Sequence, residues 1–298
     1  MHRQKATTTL PPVLFVLFAV LLWSTGGLFI KMTTVDAFAV NCGRSLFAVI
    51  TIGIFTYRKG LKLSPFTFLT SLLFAGILIS FVYATKATTA ANAIFLQYTA
   101  PIYILMLSPL ILKDRFRGID LLTVVLCLAG MSLFFWDRPN AEDKLAPNMF
   151  IGNLVALASG VLFALYFILL RHRRSLESKN AAVSAFYGNL LVVLFMLPFL
   201  ALHPPQPTSK DVVAILYLGV IQIGIAYILF TYGMAGGVRP FDASIIGFVE
   251  PLLNPVWVFL VVGERPSRLA MIGGAIILLT VVAHTLINSR DQLAPAKI

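Results

Sequence analysis

Two charged residues, Arg44 and Glu250, stand deep inside long apolar runs of this sequence. If those runs are membrane helices, a charge at the centre costs at least about 2.5–3.5 kcal/mol, which marks both positions as candidates for function. An arginine keeps its charge there, and its forked guanidinium suits a carboxylate held by two hydrogen bonds. A glutamate could serve as a protonatable gate or as an anchor for an ammonium group. The plainer alternatives are that the two pair with each other, or that backbone groups hold them. Pro101 and Pro251 also fall inside apolar runs. Each removes a backbone donor and frees an upstream carbonyl, so each predicts a kink that opens backbone to a cavity.

Other side chains within the runs could line such a cavity. The polar ones are Asn41, Asn92, Gln97, Asn153, Asn189, Gln222 and Asn254; the aromatic ones are Trp23, Tyr83, Tyr98, Tyr166 and Tyr227. The candidate binding set is Trp23, Asn41, Arg44, Tyr83, Gln97, Tyr98, Tyr166, Tyr227, Glu250 and Asn254, with Pro101 and Pro251 as kink or gating positions. For any one polar residue the competing reading is an interhelical hydrogen bond, worth about 0.6 kcal/mol on average. An aromatic cavity would suit amphiphilic solutes and organic cations. No Walker A, G-x-S-x-G or H-E-x-x-H sequence occurs, and His172, His203 and His284 are scattered. No catalytic residue, metal or cofactor is therefore expected. Cys42 and Cys127 lie within apolar runs and read as small buried hydrophobes.

The elements that must position these residues follow from composition. Of 298 residues, 59% are hydrophobic and only 12% charged, with a mean hydropathy of +0.90. Soluble domains carry about 25% charge, so this chain could not cover a water-facing surface. A net charge of +11 would suggest nucleic acid in a soluble protein. Here the basic residues sit in short loops between apolar runs, which points to a lipid bilayer and excludes nucleic acid as a partner.

Ten apolar runs cover roughly 11–31, 36–57, 66–86, 90–112, 117–136, 148–171, 180–202, 211–234, 240–262 and 268–288. Each has the roughly 20 residues that a helix needs to cross a bilayer, and open strands cannot cross lipid. The first run is too long for the apolar part of a signal peptide and reads as a retained helix. Numbering the helix ends alternately places fifteen Lys and Arg on one face and seven on the other, with Arg44 inside. The positive-inside rule then puts both termini in the cytoplasm.

The longest connection, about 137–147, divides the runs five and five. Ala93 to Pro101 in the fourth run has a counterpart in Ala243 to Pro251 of the ninth, and the acidic-Arg turn Asp114-Arg115 has one in Glu264-Arg265. All share an offset of 150 residues. Because each half holds an odd number of spans, the second enters the membrane from the opposite face, an inverted repeat with its site near the midplane. Domains are therefore expected at 1–140 and 147–290, in an all-α polytopic fold of two inverted five-helix repeats.

The chain also resembles the drug/metabolite transporter superfamily in its two-copy EamA-type branch. The resemblance rests on Leu22-Trp23-Ser24, Gly43-Arg44-Ser45-Leu46-Phe47, Tyr227 with Gly233, Glu250-Pro251 and Gly263-Glu264-Arg265-Pro266. It covers nearly the whole chain and implies a secondary carrier, not an enzyme, that exports amino acids or other small metabolites across the bacterial inner membrane. Ala100 departs from the pattern where the second half has Glu250, so the halves are not expected to act alike. Two alternatives are an importer of the same fold and a membrane enzyme acting on a lipid-like substrate. The enzyme would need a cluster of His, Asp or Glu at one face. The small residues Gly273-Gly274-Ala275 of the last run predict close backbone packing, against another helix of this chain or against a second protomer.

Overall fold

The computed structural model describes residues 10–88, 90–114, 117–136, 148–262 and 268–293. The 137–147 connection and the Gly263-Glu264-Arg265-Pro266 turn lie outside the described residues. Every regular element among those described is helical. In chain order they are α1 (Pro12–Trp23), α2 (Gly26–Met32), α3 (Ala37–Thr56), α4 (Pro65–Ala87), α5 (Ala90–Gln97) and α6 (Ala100–Leu112). Next come α7 (Gly118–Trp136), α8 (Met149–Arg171), α9 (Arg173–Leu176), α10 (Val183–Leu202) and α11 (Ser209–Tyr217). A π-helical stretch, Leu218–Ile225, leads into α12 (Ala226–Ala235), followed by α13 (Pro240–Gly247), α14 (Val249–Val262) and α15 (Arg268–Leu293).

Local chemistry starts these helices where the loops end. Asp36 accepts from the Ala39 amide, Ser64 from Thr67, and Asn148 from Ile151, each satisfying an orphan donor of the first turn. Thr208 and Asp211 form a full capping box ahead of α11. Pro12, Pro65 and Pro240 open their helices, where a missing N–H costs nothing. Among the described residues, seven helical stretches are long and apolar enough to cross a membrane: 12–32, 37–59, 65–87, 92–112, 149–171, 183–202 and 209–235. Gly118–Leu133 and Met271–Ile287 are shorter apolar helices. The outer surface is apolar: Phe150, Leu110 and Leu202 are 80%, 77% and 76% exposed. A surface of this kind is suited to lipid rather than water.

The repeat offset of 150 residues reappears in the bounds of the helices around the two prolines. Shifted by 150, α5 falls on α13 residue for residue, and α6 falls on α14 to within one. Packing follows the same exchange. The pairs α3–α10, α7–α15 and α6–α13 join one half to the other. The α1–α12 pair has a counterpart in α4–α8, since each joins the first long helical stretch of one half to the third of the other. The halves are thus interleaved rather than set side by side. The small residues of α15 serve this packing. A Cβ added at Gly130 of α7 would stand 2.9 Å from the Gly273 carbonyl oxygen, so the close neighbour of that stretch is α7 of the same chain.

The fourth and ninth runs are interrupted just before their prolines, where the lost backbone donor was expected to disturb the helix. Helix α5 ends at Gln97 and α6 begins at Ala100, while α13 ends at Gly247 and α14 begins at Val249. Pro101 therefore lies in the first turn of a new helix, where its ring is accommodated, instead of straining the middle of a continuous one. The first run breaks too, at Ser24-Thr25, and the eighth loosens into its π-helical stretch. Such π segments often mark functional positions.

Candidate functional site

The interruptions meet at the centre of the bundle. Tyr98, in the break between α5 and α6, packs its ring 5.2 Å from that of Phe248, the residue 150 positions on in the break between α13 and α14. Beside them lies a small cavity lined by Trp23, Arg44, Ile77, Leu78, Phe81, Gln97, Phe163, Gln222, Ile223, Tyr227 and Glu250. Its lining comes from both halves of the chain.

Arg44 is 1% exposed. Its Nη2 donates to the Leu78 carbonyl at 3.0 Å and to Asn41 Oδ1 at 3.3 Å, one turn back on α3. Its Nε has no hydrogen-bond partner. The helix can sit this deep because Gly219 of the π segment lies against it. A Cβ there would come 2.5 Å from the Arg44 carbonyl oxygen. Glu250, in the first turn of α14, accepts from the Tyr98 hydroxyl at 2.8 Å. Arg44 and Glu250 share the cavity without forming an ion pair, so each keeps its charge-bearing group available. Trp23 Nε1 and Gln222 Oε1 also lack hydrogen-bond partners. Two unmet donors and one unmet acceptor thus accompany a carboxylate at one cavity. Buried groups in that condition are costly unless a ligand or water completes them.

The remaining wall is aromatic. Trp23 packs against Tyr227 at 4.7 Å, Phe230 at 4.9 Å and Phe163 at 6.1 Å, and Phe74 presents its edge to Tyr227 at 4.5 Å. Free volume is only about 30 Å³, room for water but not for an organic solute. A bound solute would have to part these walls.

Of the sequence-derived set, Trp23, Arg44, Gln97, Tyr227 and Glu250 line the cavity. Asn41 and Tyr98 stand behind it, holding Arg44 and Glu250 respectively. Gln97 donates to Ser159 at 2.7 Å. Tyr166 sits one layer out, its ring on Phe74 and its hydroxyl 3.2 Å from Ser184. Tyr83 is half-buried and outside the lining. The side chain of Asn254 falls outside the described residues. Phe163 and Phe81 escaped notice because 24 phenylalanines offer no pattern that separates wall from lipid face. Gln222, one of the polar residues expected to be able to line a cavity but outside the binding set, lies in the lining between Gly219 and Gly224 of the π-helical stretch.

Sequence reading also missed a set of ionisable residues near the helix ends. On the face that carries Arg58, Lys113 and Arg171, buried Asp120, Asp242 and His284 gather around Arg239. This face holds a cavity of about 450 Å³ lined in part by Lys113, Asp114, Arg171 and Arg239. The opposite face is stitched shut. Lys86 donates to the Thr33 carbonyl at 2.7 Å and hydroxyl at 2.9 Å, and Lys31 donates to the Thr88 carbonyl at 3.0 Å. Asp211 accepts from the Thr34 amide and hydroxyl.

A lipid-facing helical bundle with interleaved halves and a charged, aromatic-walled cavity at its broken helices is a polytopic membrane protein built to handle a small solute. The chain belongs to the EamA-like transporter family, whose family model matches it twice, over residues 10–136 and 150–286. An uncharacterized transporter of Archaeoglobus fulgidus is 27% identical over 270 residues, 88% of this chain and 92% of that one. The aromatic amino acid exporter YddG of Ancylobacter novellus is 24% identical over 210 residues, 70% of this chain and 71% of its own. One solved crystal structure superposes with a TM-score of 0.78 over 94% of this chain and 98% of that one, at 21% identity, a likeness of fold alone.

Proposed function

We propose that this transporter exports small amphiphilic metabolites, amino acids foremost, across the bacterial inner membrane by alternating access. The observation that carries the reading is the set of unmet groups around one cavity. Arg44 Nε and Trp23 Nε1 offer donors that a carboxylate can accept from, while Glu250 and Gln222 Oε1 offer acceptors for an ammonium. The aromatic wall of Trp23, Phe163 and Tyr227 suits an apolar side chain. Asn41 and Tyr98 position the two charges, and the breaks before Pro101 and Pro251 let the half-helices move. That one relative is named an aromatic amino acid exporter supports the substrate class.

The same reading counts ten spans in two inverted repeats, about 1–140 and 147–290. The seven long stretches, the two shorter apolar helices and the interrupted α13–α14 pair make up the ten. Both termini lie in the cytoplasm by the Lys and Arg asymmetry. The stitched face is then external, and the face with the larger cavity is internal, a resting state suited to loading from inside.

The test is flux from proteoliposomes loaded with labelled amino acids, with and without a pH gradient. Release that depends on the protein and is competed by aromatic or branched amino acids is expected. Absence of protein-dependent flux across the amino acid panel would overturn the substrate class, and uptake without efflux would overturn the direction.

A further inference from the structure

The cavity of about 450 Å³ lies between the ends of α6 and α8 and the start of α13. Lys113, Arg171, Arg173 and Arg239 line it, against Asp114 as the one carboxylate of the wall. Two of these cations are already engaged. Arg239 forks onto Asp242, with Nε at 2.9 Å from Oδ2 and Nη2 at 2.7 Å from Oδ1, and Arg173 pairs with Glu177 at 3.0 Å. The other two are not. Asp114 is turned aside, its Oδ2 accepting from the Ser108 hydroxyl at 2.5 Å, and it forms no ion pair with Lys113 or Arg171. Arg171 donates from Nη1 to the Met234 carbonyl at 3.4 Å, while the Nε–Nη2 edge of its guanidinium donates to no described residue. The Lys113 ammonium likewise donates to no described residue.

Lys113 also holds a strained backbone. Its φ of 59° lies in the left-handed region, and no other non-glycine among the described residues has a positive φ. The position follows the last residue of α6, where glycine is the usual choice because a Cβ is crowded there. At the same offset of 150 residues the second half has Gly263. A cation after a helix offsets the negative end of its dipole, but one placed a residue earlier in relaxed backbone would serve equally. In its strained place, Lys113 stands in the cavity wall. Strain of this kind points from the backbone to a use for the side chain.

An open guanidinium edge matches two oxygens of an oxyanion, and a lysine beside it adds a point charge for a third. The depth of the site favours phosphate. Arg171 closes the apolar stretch 149–171 and Lys113 follows the stretch 92–112, so both stand where apolar helix ends. Leu110, 77% exposed, and Ile111, in the cavity wall, carry the lipid-facing surface up to it. Phospholipid phosphates lie at this level, and basic pockets between helices there bind anionic headgroups. We propose that Arg171 and Lys113 form a binding site for a phosphate group, separate from the central cavity. Arg171 takes two of its oxygens and Lys113 a third, and the phosphate is that of an anionic phospholipid or inorganic phosphate. The site needs neither Arg44 nor Glu250, so it stands or falls apart from amino acid transport.

The full chain in maltoside micelles, at fixed ionic strength, is titrated with ³²P-labelled dioctanoyl phosphatidic acid and, separately, with ³²P-orthophosphate, and the uptake of protein-free micelles is subtracted. Saturable binding of one equivalent per chain is expected, and the tighter of the two ligands identifies the source of the phosphate. Arg171→Gln and Lys113→Gln are each expected to weaken that binding at least about tenfold, the loss of one charge-assisted hydrogen bond. Lys113→Gly removes the amine and the backbone strain together, so it should melt no lower than the unaltered protein and still lose the binding. Arg58→Gln, on the same face but outside the cavity wall, should bind as the unaltered protein does. The proposal is overturned if neither ligand binds saturably, or if binding survives Lys113→Gly or Arg171→Gln. It is overturned equally if Arg58→Gln loses as much, which would mean diffuse surface charge, or if equimolar acetate displaces the phosphate.

Discussion

Glu250→Gln separates charge from shape at the central cavity. The substitution keeps the length of the side chain and an oxygen that can still accept from the Tyr98 hydroxyl, now 2.8 Å from the carboxylate. Packing around the 7%-exposed side chain should be unchanged. What is lost is one charge-assisted hydrogen bond to a substrate ammonium, worth about 1.5–3 kcal/mol. At 1.4 kcal/mol per tenfold, affinity for a zwitterionic amino acid should fall about 10- to 150-fold. The same amino acid with its amine acetylated offers no ammonium, so its weaker binding should change less than about threefold. Competition binding in nanodiscs, read for both ligands on both proteins, isolates the interaction as a double-mutant cycle. Equal losses for the two ligands would mean that Glu250 does not meet the ammonium. No loss for either would return the carboxylate to a purely structural role beside Tyr98.

Other changes test the frame. Gly130→Val places side-chain carbon where only 2.9 Å separates a Cβ from the Gly273 carbonyl, and overpacking of this kind should destabilise the α7–α15 pair by about 1–3 kcal/mol, read as a lowered Tm in detergent. Lys86→Met removes both bonds to Thr33 and should raise the labelling rate of Cys42 by an impermeant thiol reagent about tenfold, in a Cys127→Ala background and from outside the cell. Arg44→Lys keeps the charge but removes Nε, the donor that has no hydrogen-bond partner at the cavity, and transport affinity should fall about tenfold. A reporter fused after Ile298 should appear in the cytoplasm; its appearance outside would break the ten-span count.

Much of the frame was legible because lipid imposes it. Apolar runs of helix length, loops marked by Lys and Arg, and the offset of 150 residues follow from constraints that act on sequence locally. Arg44 and Glu250 were legible for the same reason, since charge inside an apolar run is conspicuous. The prolines marked where two helices are disturbed, but not the form of the disturbance. A proline in an apolar run signals a disturbance, but whether the helix bends at it or ends before it depends on what packs beside it. Here Tyr98 and Phe248 fill the gap from either side. Asp120, Asp242 and His284 stayed hidden because each lies near a run's end, where a charge reads as solvated; only the packing of α7, α13 and α15 buries them.

The departure of Ala100 from Glu250 acquires a physical meaning from the contact between the breaks. A symmetric pair of repeats would place two carboxylates and two hydroxyls about the axis. This chain keeps one of each: Tyr98 from the first half gives its hydroxyl to Glu250 from the second, while Phe248 and Ala100, at the equivalent positions, contribute only apolar surface. Two carboxylates this close to the axis would repel, and both could not stay ionised in an apolar core. With one, the core presents a single acidic point and, from α3 alone, a single basic one. A zwitterion is polarised in the same sense and can satisfy both at once in one orientation. Both halves contribute to the cavity wall, and the lone Glu250 gives that cavity a direction.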